Sequence, residues 1–289
     1  MTQTIGILHP GAMGLSVAAT AQNSGHTVYW ASEGRSPQTA ERAARLNLPD
    51  AHTLTTLCEA CSVILSVCPP AAAESQAKEV LSHGFRGLYV DMNAIAPQRV
   101  TRIADMMAEQ GTHFVSGSII GGPAWQPNST WLYLSGSEAQ TVADLFSAGP
   151  LETAVLGEDI TKASALKMCF AAYSKGTTAL LCAVMAAAEA LNVRDDLEAQ
   201  WSRNGSTFAE EAAQNVRQVT AKAWRFSGEM QEIAATLSSA GLPAEFHLAA
   251  ADIYQRMAEF KGADPLPSLD AILSALIHKS ADSSPKTTD

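Results

Sequence analysis

Two glycines near the start of the chain, Gly11 and Gly14, have the spacing to hold a phosphorylated ligand. They follow an apolar run from Thr4 to Leu8 and precede a stretch of helical character, Leu15 to Asn23. With no Cβ at position 11 the backbone can approach a pyrophosphate, and with none at position 14 a helix can pack close to a strand. The free N–H groups at the helix start and the positive end of its dipole then face the phosphates. Strand, glycine turn, helix and a second apolar run, Thr27 to Ala31, make the opening of a dinucleotide-binding βαβ unit. The full G-x-G-x-x-G pattern places glycine at position 9, where this chain has His9-Pro10. His9, Pro10, Gly11, Ala12, Met13 and Gly14 are the residues expected at the cofactor. His9 adds a contact of its own at the pyrophosphate or nicotinamide end.

The end of the second apolar run bears on which dinucleotide. An acid there normally bonds the ribose hydroxyls of NAD. Ala31 occupies that place, and Ser32, Glu33, Gly34, Arg35 and Ser36 follow. Arg35 can pair with a 2′-phosphate while Ser32 and Ser36 hydrogen-bond it, so NADP is the expected cofactor. In the competing reading Arg35 and Ser36 only start a helix, and Glu33 serves the ribose of NAD.

The elements that must position these groups alternate. Helical stretches at Pro37 to Leu46, Ala71 to His83 and Val100 to Gln110 separate apolar runs at Ser62 to Cys68, Leu88 to Asp91 and Thr112 to Ser116. Gly117 to Pro123, the run Trp131 to Ser135 and a helix from Ser137 to Phe146 follow. The continuous apolar run from Ser62, closed by Pro69-Pro70, fits a strand buried on both faces. An α/β Rossmann domain over residues 1–158, with a doubly wound parallel sheet, is predicted. From residue 159 strand-like runs stop. A long interdomain helix, Ile160 to Leu191, leads into an all-α domain over 159–289, with helices at Asp195 to Asn204, Ser206 to Phe226, Gly228 to Ala240, Pro243 to Phe260 and Ser268 to Ile277. Residues 280–289 form a polar tail expected to be disordered.

Composition narrows the function classes. The 289 residues are 47% apolar and 17% charged, enough for two domains with sizeable cores. A formal net charge of -10 argues against nucleic acid and anionic membrane as partners. The apolar stretch Gly176 to Leu191 is too short for an ordinary membrane span and reads as a buried helix. Met1 to Thr4 leads directly into a strand, so no secretory leader is expected. Five cysteines without framework spacing fit reduced thiols and a cytoplasmic location. Cys58 and Cys61 form a C-x-x-C with no second ligand pair, and the seven histidines are scattered, so no metal is predicted.

Taken in order, four segments resemble the β-hydroxyacid dehydrogenase superfamily, which includes 3-hydroxyisobutyrate dehydrogenase, 6-phosphogluconate dehydrogenase and the imine reductases. They are Gly6 to Gly14, Ser66-Val67-Cys68-Pro69-Pro70, Ile120-Gly121-Gly122-Pro123, and Lys167 within Thr161 to Cys169. The stretches Gly228 to Ala234, Gly241-Leu242-Pro243 and Phe246 to Arg256 are similar to a branch described only as 6-phosphogluconate-dehydrogenase-like oxidoreductases. The resemblance implies an NAD(P)-dependent oxidoreductase acting on a small-molecule substrate, with its active site between two domains and a homodimer formed through the C-terminal helices.

It also implies residue roles. Lys167 becomes the proton donor or acceptor at the carbinol oxygen; on the residues alone, a lysine in an apolar helix reads as snorkelling to a surface. Val67, Cys68 and Pro69 lie beside the cofactor, and Asn93 lies near the nicotinamide, against the plainer reading of an Asx turn. Gly121 and Gly122 approach the substrate, against that of a strand-ending turn. Relatives that oxidise hydroxy acids carry Ser where this chain has Ile120, and Ser118, two residues earlier in an extended segment, can partly substitute. Trp125 hints at a larger or aromatic substrate. Lys175, eight residues after Lys167 and on roughly the same helix face, is a further substrate candidate. Ala171 replaces the usual Asn one turn after Lys167. Trp224, Arg225, Glu229, Met230 and His247 read first as packing or surface residues, against a reading in which they reach the cleft from the same or a partner subunit.

The expected reaction is reversible hydride transfer between NADPH and the carbonyl of a small organic substrate. Imine reductases commonly have Asp or Tyr at the Lys167 position, so the lysine favours alcohol and carbonyl chemistry over imine reduction. A catalytically silent NADP-binding redox reporter is the rival from another class.

Overall fold

The computed structural model describes residues 2–278, and the expected tail at 280–289 lies outside the described residues. The chain packs as two units, Met1–Met168 and Cys169 onward.

In the first unit, β1 (Thr4–Ile7), β2 (Thr27–Tyr29), β3 (Val63–Ser66), β4 (Leu88–Asp91), β5 (His113–Gly121), β6 (Thr130–Ser135) and β7 (Leu151–Val155) form one sheet in the order β2-β1-β3-β4-β5-β6-β7. The helices are α1 (Ala12–Asn23), α2 (Pro37–Arg45), α3 (Leu54–Ala60), α4 (Ala73–Ser82), α5 (Pro97–Glu109) and α6 (Ala139–Asp144). All four residues of β3 are buried, as its unbroken apolar run requires. Alternate side chains divide into two cores. Ile5, Ile7, Val63, Leu65 and Val90 pack with Val17, Ala18 and Ala21 of α1 and with α6. Ile64 and Tyr89 pack on the opposite face with Leu57 of α3, Ala77 and Val80 of α4, and Ile103 of α5. Both faces are covered, which makes this a doubly wound, Rossmann-like sheet.

The sheet is not wholly parallel, a correction to the sequence reading. Gly117 to Gly121 continue β5, and β6 returns antiparallel, pairing Gly121 with Thr130 and Ser116 with Ser135. The connection at 122–129 is too short for a parallel crossover, which needs a dozen residues or more. The edge strand β7 was not anticipated. Its interior residues are only partly buried, so it carries no long apolar run.

α7 (Lys162–Ala190) begins in the first unit and continues into the second, where α8 (Arg194–Trp201), α9 (Phe208–Ser239), α10 (Glu245–Arg256) and α11 (Leu269–Ile277) follow. The two helices expected on either side of Ser227 are the single helix α9. One glycine inside a helix costs only about 1 kcal/mol, and burial of Ala223, Ser227, Met230 and Ile233 carries the helix through Gly228. Phe226 of α9 meets Tyr254 of α10 edge to face at 5.4 Å. A Cβ at Gly176 would come within 3.2 Å of Phe246, so glycine lets α7 pack closely against α10.

The expectation that the apolar part of α7 is buried also needs correction. The helix is long and apolar enough to cross a membrane by composition, with mean hydropathy 1.3, yet only 33% of its most apolar window is buried. Phe170, Tyr173, Thr177, Leu180, Val184 and Ala187 are all exposed along one side.

Candidate cofactor and catalytic site

From β1 the chain moves to β2 on one side and then crosses to β3 on the other. The strand order therefore reverses at β1, and a doubly wound sheet binds its ligand beyond the C-terminal ends of its strands at such a switch point. Two loops lie there, His9–Pro10–Gly11 after β1 and Val67–Cys68–Pro69 after β3.

The first loop is built for a close approach. A Cβ at Gly14 would sit 2.2 Å from the carbonyl oxygen of His9, a backbone atom that cannot move aside. Gly14→Ala is accordingly expected to cost about 3 kcal/mol of stability, measured by chemical denaturation. Gly11 differs. It caps α1 without any side-chain hydrogen bond, and a Cβ there would meet nothing within 4 Å. Protein packing does not demand glycine at position 11, so what its absent side chain keeps open is space in front of the first N–H groups of α1, which lack intrahelical partners. His9 Nδ1 and Arg35 Nε are buried without hydrogen-bond partners. Burial, helped by the nearby Arg35 charge, lowers the His9 pKa to about 4, so the ring is neutral at pH 7. Unpaired buried polar atoms are uncommon. Two of them within electrostatic reach of each other, beside an uncapped helix N-terminus, fit a phosphate-bearing cofactor.

Ser32 and Ser36 are partly spoken for. The Ser32 N–H donates to Asp50 Oδ1 at 3.2 Å, and Ser36 Oγ caps α2 by accepting from the Thr39 N–H at 3.3 Å. The helix-starting role weighed for Ser36 is thus present, with its hydroxyl proton directed to Thr39 or to a ligand. Asp50, next to Trp30 across an isolated bridge, holds this turn, and the sequence reading did not single it out.

The second loop is fastened from β4. Asn93 is 3% exposed and bonded throughout. Its backbone N–H and its Nδ2 donate to the two carboxylate oxygens of Asp91 at 2.9 and 3.1 Å, Nδ2 also donates to Ser66 Oγ at 3.1 Å, and Oδ1 accepts from the Cys68 N–H at 2.6 Å. Both amide protons of Asn93 are therefore used within the protein, and it fixes the Val67–Pro69 loop instead of offering them to a nicotinamide. Asp91 is 1% exposed, and burial raises its pKa to about 6 against the opposing Asn93 hydrogen bonds and the Arg99 charge. Burial and Asp91 push the Cys68 thiol up to about 12, so it remains protonated.

The end of β5 separates the remaining candidates. Gly121, with φ +127°, lies against the β6 backbone, where a Cβ would approach Ser129 O to 2.4 Å. The turn alone explains it. Gly122 faces open space, and its carbonyl accepts from Thr130 Oγ1 at 2.7 Å. The Ser118 hydroxyl is buried within β5 without a hydrogen-bond partner. Trp125 is 48% exposed. Its neighbour Ala124 donates its N–H at 2.9 Å to Ser16 Oγ on α1, a tie between the glycine-pair loop and the cofactor helix that no sequence signal marked. Lys167 reaches the same strand, its Nζ donating to the Ile119 carbonyl at 2.8 Å. Two neighbouring bonds hold the first turn of α7: Ser164 Oγ to Ile95 O, and the Ala163 N–H to Ser135 Oγ.

Lys175 belongs to the second unit, where it forms an ion pair with Glu229 and lies 4.4 Å from the Phe226 ring centroid. Burial lowers its pKa against the opposing Glu229 charge. It braces α7 to α9, which corrects its assignment to substrate. Met230 is buried, His247 Nε2 faces the Ala172 carbonyl, and Trp224 stacks under Lys261, all packing roles.

Residues 4–148, half of the chain, match the family model described as the NAD binding domain of 6-phosphogluconate dehydrogenase. The chain belongs to the β-hydroxyacid dehydrogenase superfamily of NAD(P)-dependent oxidoreductases. Residues 188–257 match a second model, a domain of unknown function designated DUF1932. An uncharacterised 28.5 kDa protein of Methanothermus fervidus is 29% identical over 166 residues, which span 57% of this chain and 63% of that protein. A conserved protein with structural similarity to 3-hydroxyacid dehydrogenases superposes with a TM-score of 0.64 at 26% identity, covering 89% of this chain and 97% of the other. The 3-hydroxyisobutyrate dehydrogenase of Mycobacterium tuberculosis gives a TM-score of 0.69 at 17% identity over 96% and 100% of the two chains. Imine reductases, including one from Myxococcus stipitatus in complex with NADP+, share the fold.

Proposed function

We propose that this protein is an NADPH-dependent reductase of a small carbonyl compound, with Lys167 as the proton donor. The observation that carries the cofactor choice is the Arg35 guanidinium, its Nε buried without a partner beside His9, where the ribose acid of an NAD enzyme is replaced by Ala31. When bound, NADPH supplies hydride to the carbonyl carbon. The open N-terminus of α1 holds its pyrophosphate, Arg35 with Ser32 and Ser36 holds its 2′-phosphate, and the Val67–Pro69 loop shapes the crevice. Lys167, oriented by the Ile119 carbonyl, gives its proton to the carbonyl oxygen as charge develops there and regains one from water. The reverse direction uses the neutral lysine as base.

Imine reduction is the alternative, supported by the fold shared with imine reductases. NADPH oxidation followed over a panel of ketones, aldehydes and cyclic imines separates the readings. Turnover of carbonyls alone supports the first and turnover of imines alone the second. Tight NADPH binding with no turnover anywhere supports a silent redox reporter.

We propose further that a second copy of the chain covers the exposed side of α7. Phe170, Tyr173, Thr177, Leu180, Val184 and Ala187 follow one another at spacings of three and four residues, a continuous seam on one helix face. Reversing the order reproduces the spacing, so the seam matches itself about a two-fold axis. In an antiparallel pair Phe170 falls opposite the partner's Ala187, Tyr173 opposite the partner's Val184, and Thr177 opposite the partner's Leu180, setting large residues against smaller ones. A double substitution, Tyr173→Glu with Leu180→Glu, is expected to convert a dimer to a monomer in analytical ultracentrifugation. A monomeric wild type, or one that floats with lipid vesicles, overturns the assignment.

A further inference from the structure

We propose that Asp91 is a positioning residue whose charge state sets the geometry of the Val67–Cys68–Pro69 loop, and through it the affinity for the nicotinamide cofactor. This rests on the cofactor reading above but goes beyond it, since Asp91 is almost fully enclosed and acts through Asn93.

The bonding pattern carries the argument. Both carboxylate oxygens of Asp91 accept from Asn93, one from the backbone N–H and one from Nδ2. An ionised carboxylate has only acceptors to offer and satisfies both donors. With Nδ2 held by Asp91 and Ser66, the amide has one orientation open to it, the one that presents Oδ1 to the Cys68 N–H. Asn93 thereby fixes the backbone immediately after β3, at the switch point. A protonated carboxyl places a hydroxyl against one of the two donors. That bond weakens, because a hydroxyl oxygen accepts less well than a carboxylate oxygen, the hold on the amide orientation weakens with it, and a flipped amide sets Nδ2 against the Cys68 N–H, donor against donor.

The groups facing Asp91 allow such a change near neutral pH. The carboxyl is almost fully enclosed, and burial raises its pKa to about 6. Arg99 of α5 is the cation acting on it, and that guanidinium is shared with Glu74 of α4 through a 2.9 Å bond, while Glu74 also holds Arg102. Tyr89 and Cys68, the other titratable neighbours, stay protonated because burial raises both. Across the β4–β5 pairing stands Ser116, which is uncharged.

NADPH fluorescence titrations between pH 5 and 8, on the wild type and on Asp91→Asn, test this. The variant is isosteric and removes a buried charge, and circular dichroism checks its fold. Wild-type affinity is expected to fall about 10-fold as the pH drops through 6, whereas Asp91→Asn binds about 10-fold more weakly throughout and with a flatter profile. The 2′-phosphate of the cofactor titrates alike in both proteins, so the difference between the two curves isolates Asp91. A variant with the wild-type pH profile overturns the proposal. A second measurement needs no substitution and no cofactor: hydrogen-exchange protection of the Cys68 amide, corrected for intrinsic exchange, is expected to drop below pH 6. Unchanged protection from pH 5 to 8 overturns the proposal as well. A protein that binds no NADPH at any pH defeats the cofactor reading, and the Cys68 amide still reports on Asp91.

Discussion

Lys167→Ala is expected to lower kcat for NADPH-dependent carbonyl reduction by about 10²–10⁴-fold, the contribution of a well-placed general acid, with little change in NADPH affinity. The split follows from where the side chain ends. Nζ is fixed on the Ile119 carbonyl of β5, whereas the groups proposed to hold the phosphates lie after β1 and β2. Lys167→Arg separates the chemistry from simple bracing. Arginine can keep both the cation and a hydrogen bond to Ile119 O, but its pKa is too high for it to give up a proton. If the role is proton transfer, the arginine variant is nearly as slow as the alanine one. If Lys167 only pins α7 to β5, arginine restores most of the rate. Steady-state kinetics of the two variants at saturating NADPH decide between these outcomes.

The second large effect is on cofactor choice. Arg35→Ala is expected to weaken NADPH binding by about 10–100-fold, the value of a charge-assisted bond to a phosphate, and to leave NADH binding nearly unchanged. Fluorescence titration with both cofactors measures the ratio. The substitution has a second signature. Arg35 helps burial to lower the pKa of His9, so its removal lets the His9 pKa rise from about 4, though not to 6.5, because burial is the larger cause. An NMR titration of the imidazole follows this independently of any activity. An unchanged preference for NADPH removes Arg35 from the site.

Much of this was legible in residue order. The glycine turn, the buried run of β3 and the helices of the first unit each carry a local signature, and Gly14 has the tight contact that its spacing implied. What could not be read depends on pairing across the chain. That the segment after Ser116 pairs antiparallel shows only once β6 lies beside it. Asn93 looks like a ligand contact until its neighbours are seen to use both of its amide protons, and Lys175 like a substrate cation until Glu229 is found against it. Asp91 stood in plain view at the end of a strand, and only its enclosure marks it out. Apolar content showed that α7 packs against something, but did not show that one side of it stays bare.

His9, in the loop after β1, and Asp91, the last residue of β4, bear oppositely on proton balance. Between about pH 4 and 6 the folded chain keeps the Asp91 proton that the unfolded chain releases, so this group adds stability as the pH falls through that window. His9 does the reverse. Between 6.5 and about 4 the unfolded chain takes up a proton that the folded chain refuses, so stability is lost as the pH falls. Each shift corresponds to about 3 kcal/mol at full extent, and the windows nearly coincide. Unfolding therefore moves almost no net proton at these two positions, and the pair acts as an internal buffer for the fold. On the proposed role of Asp91, acid that discharges it and loosens the loop after β3 draws no net stability from these two groups.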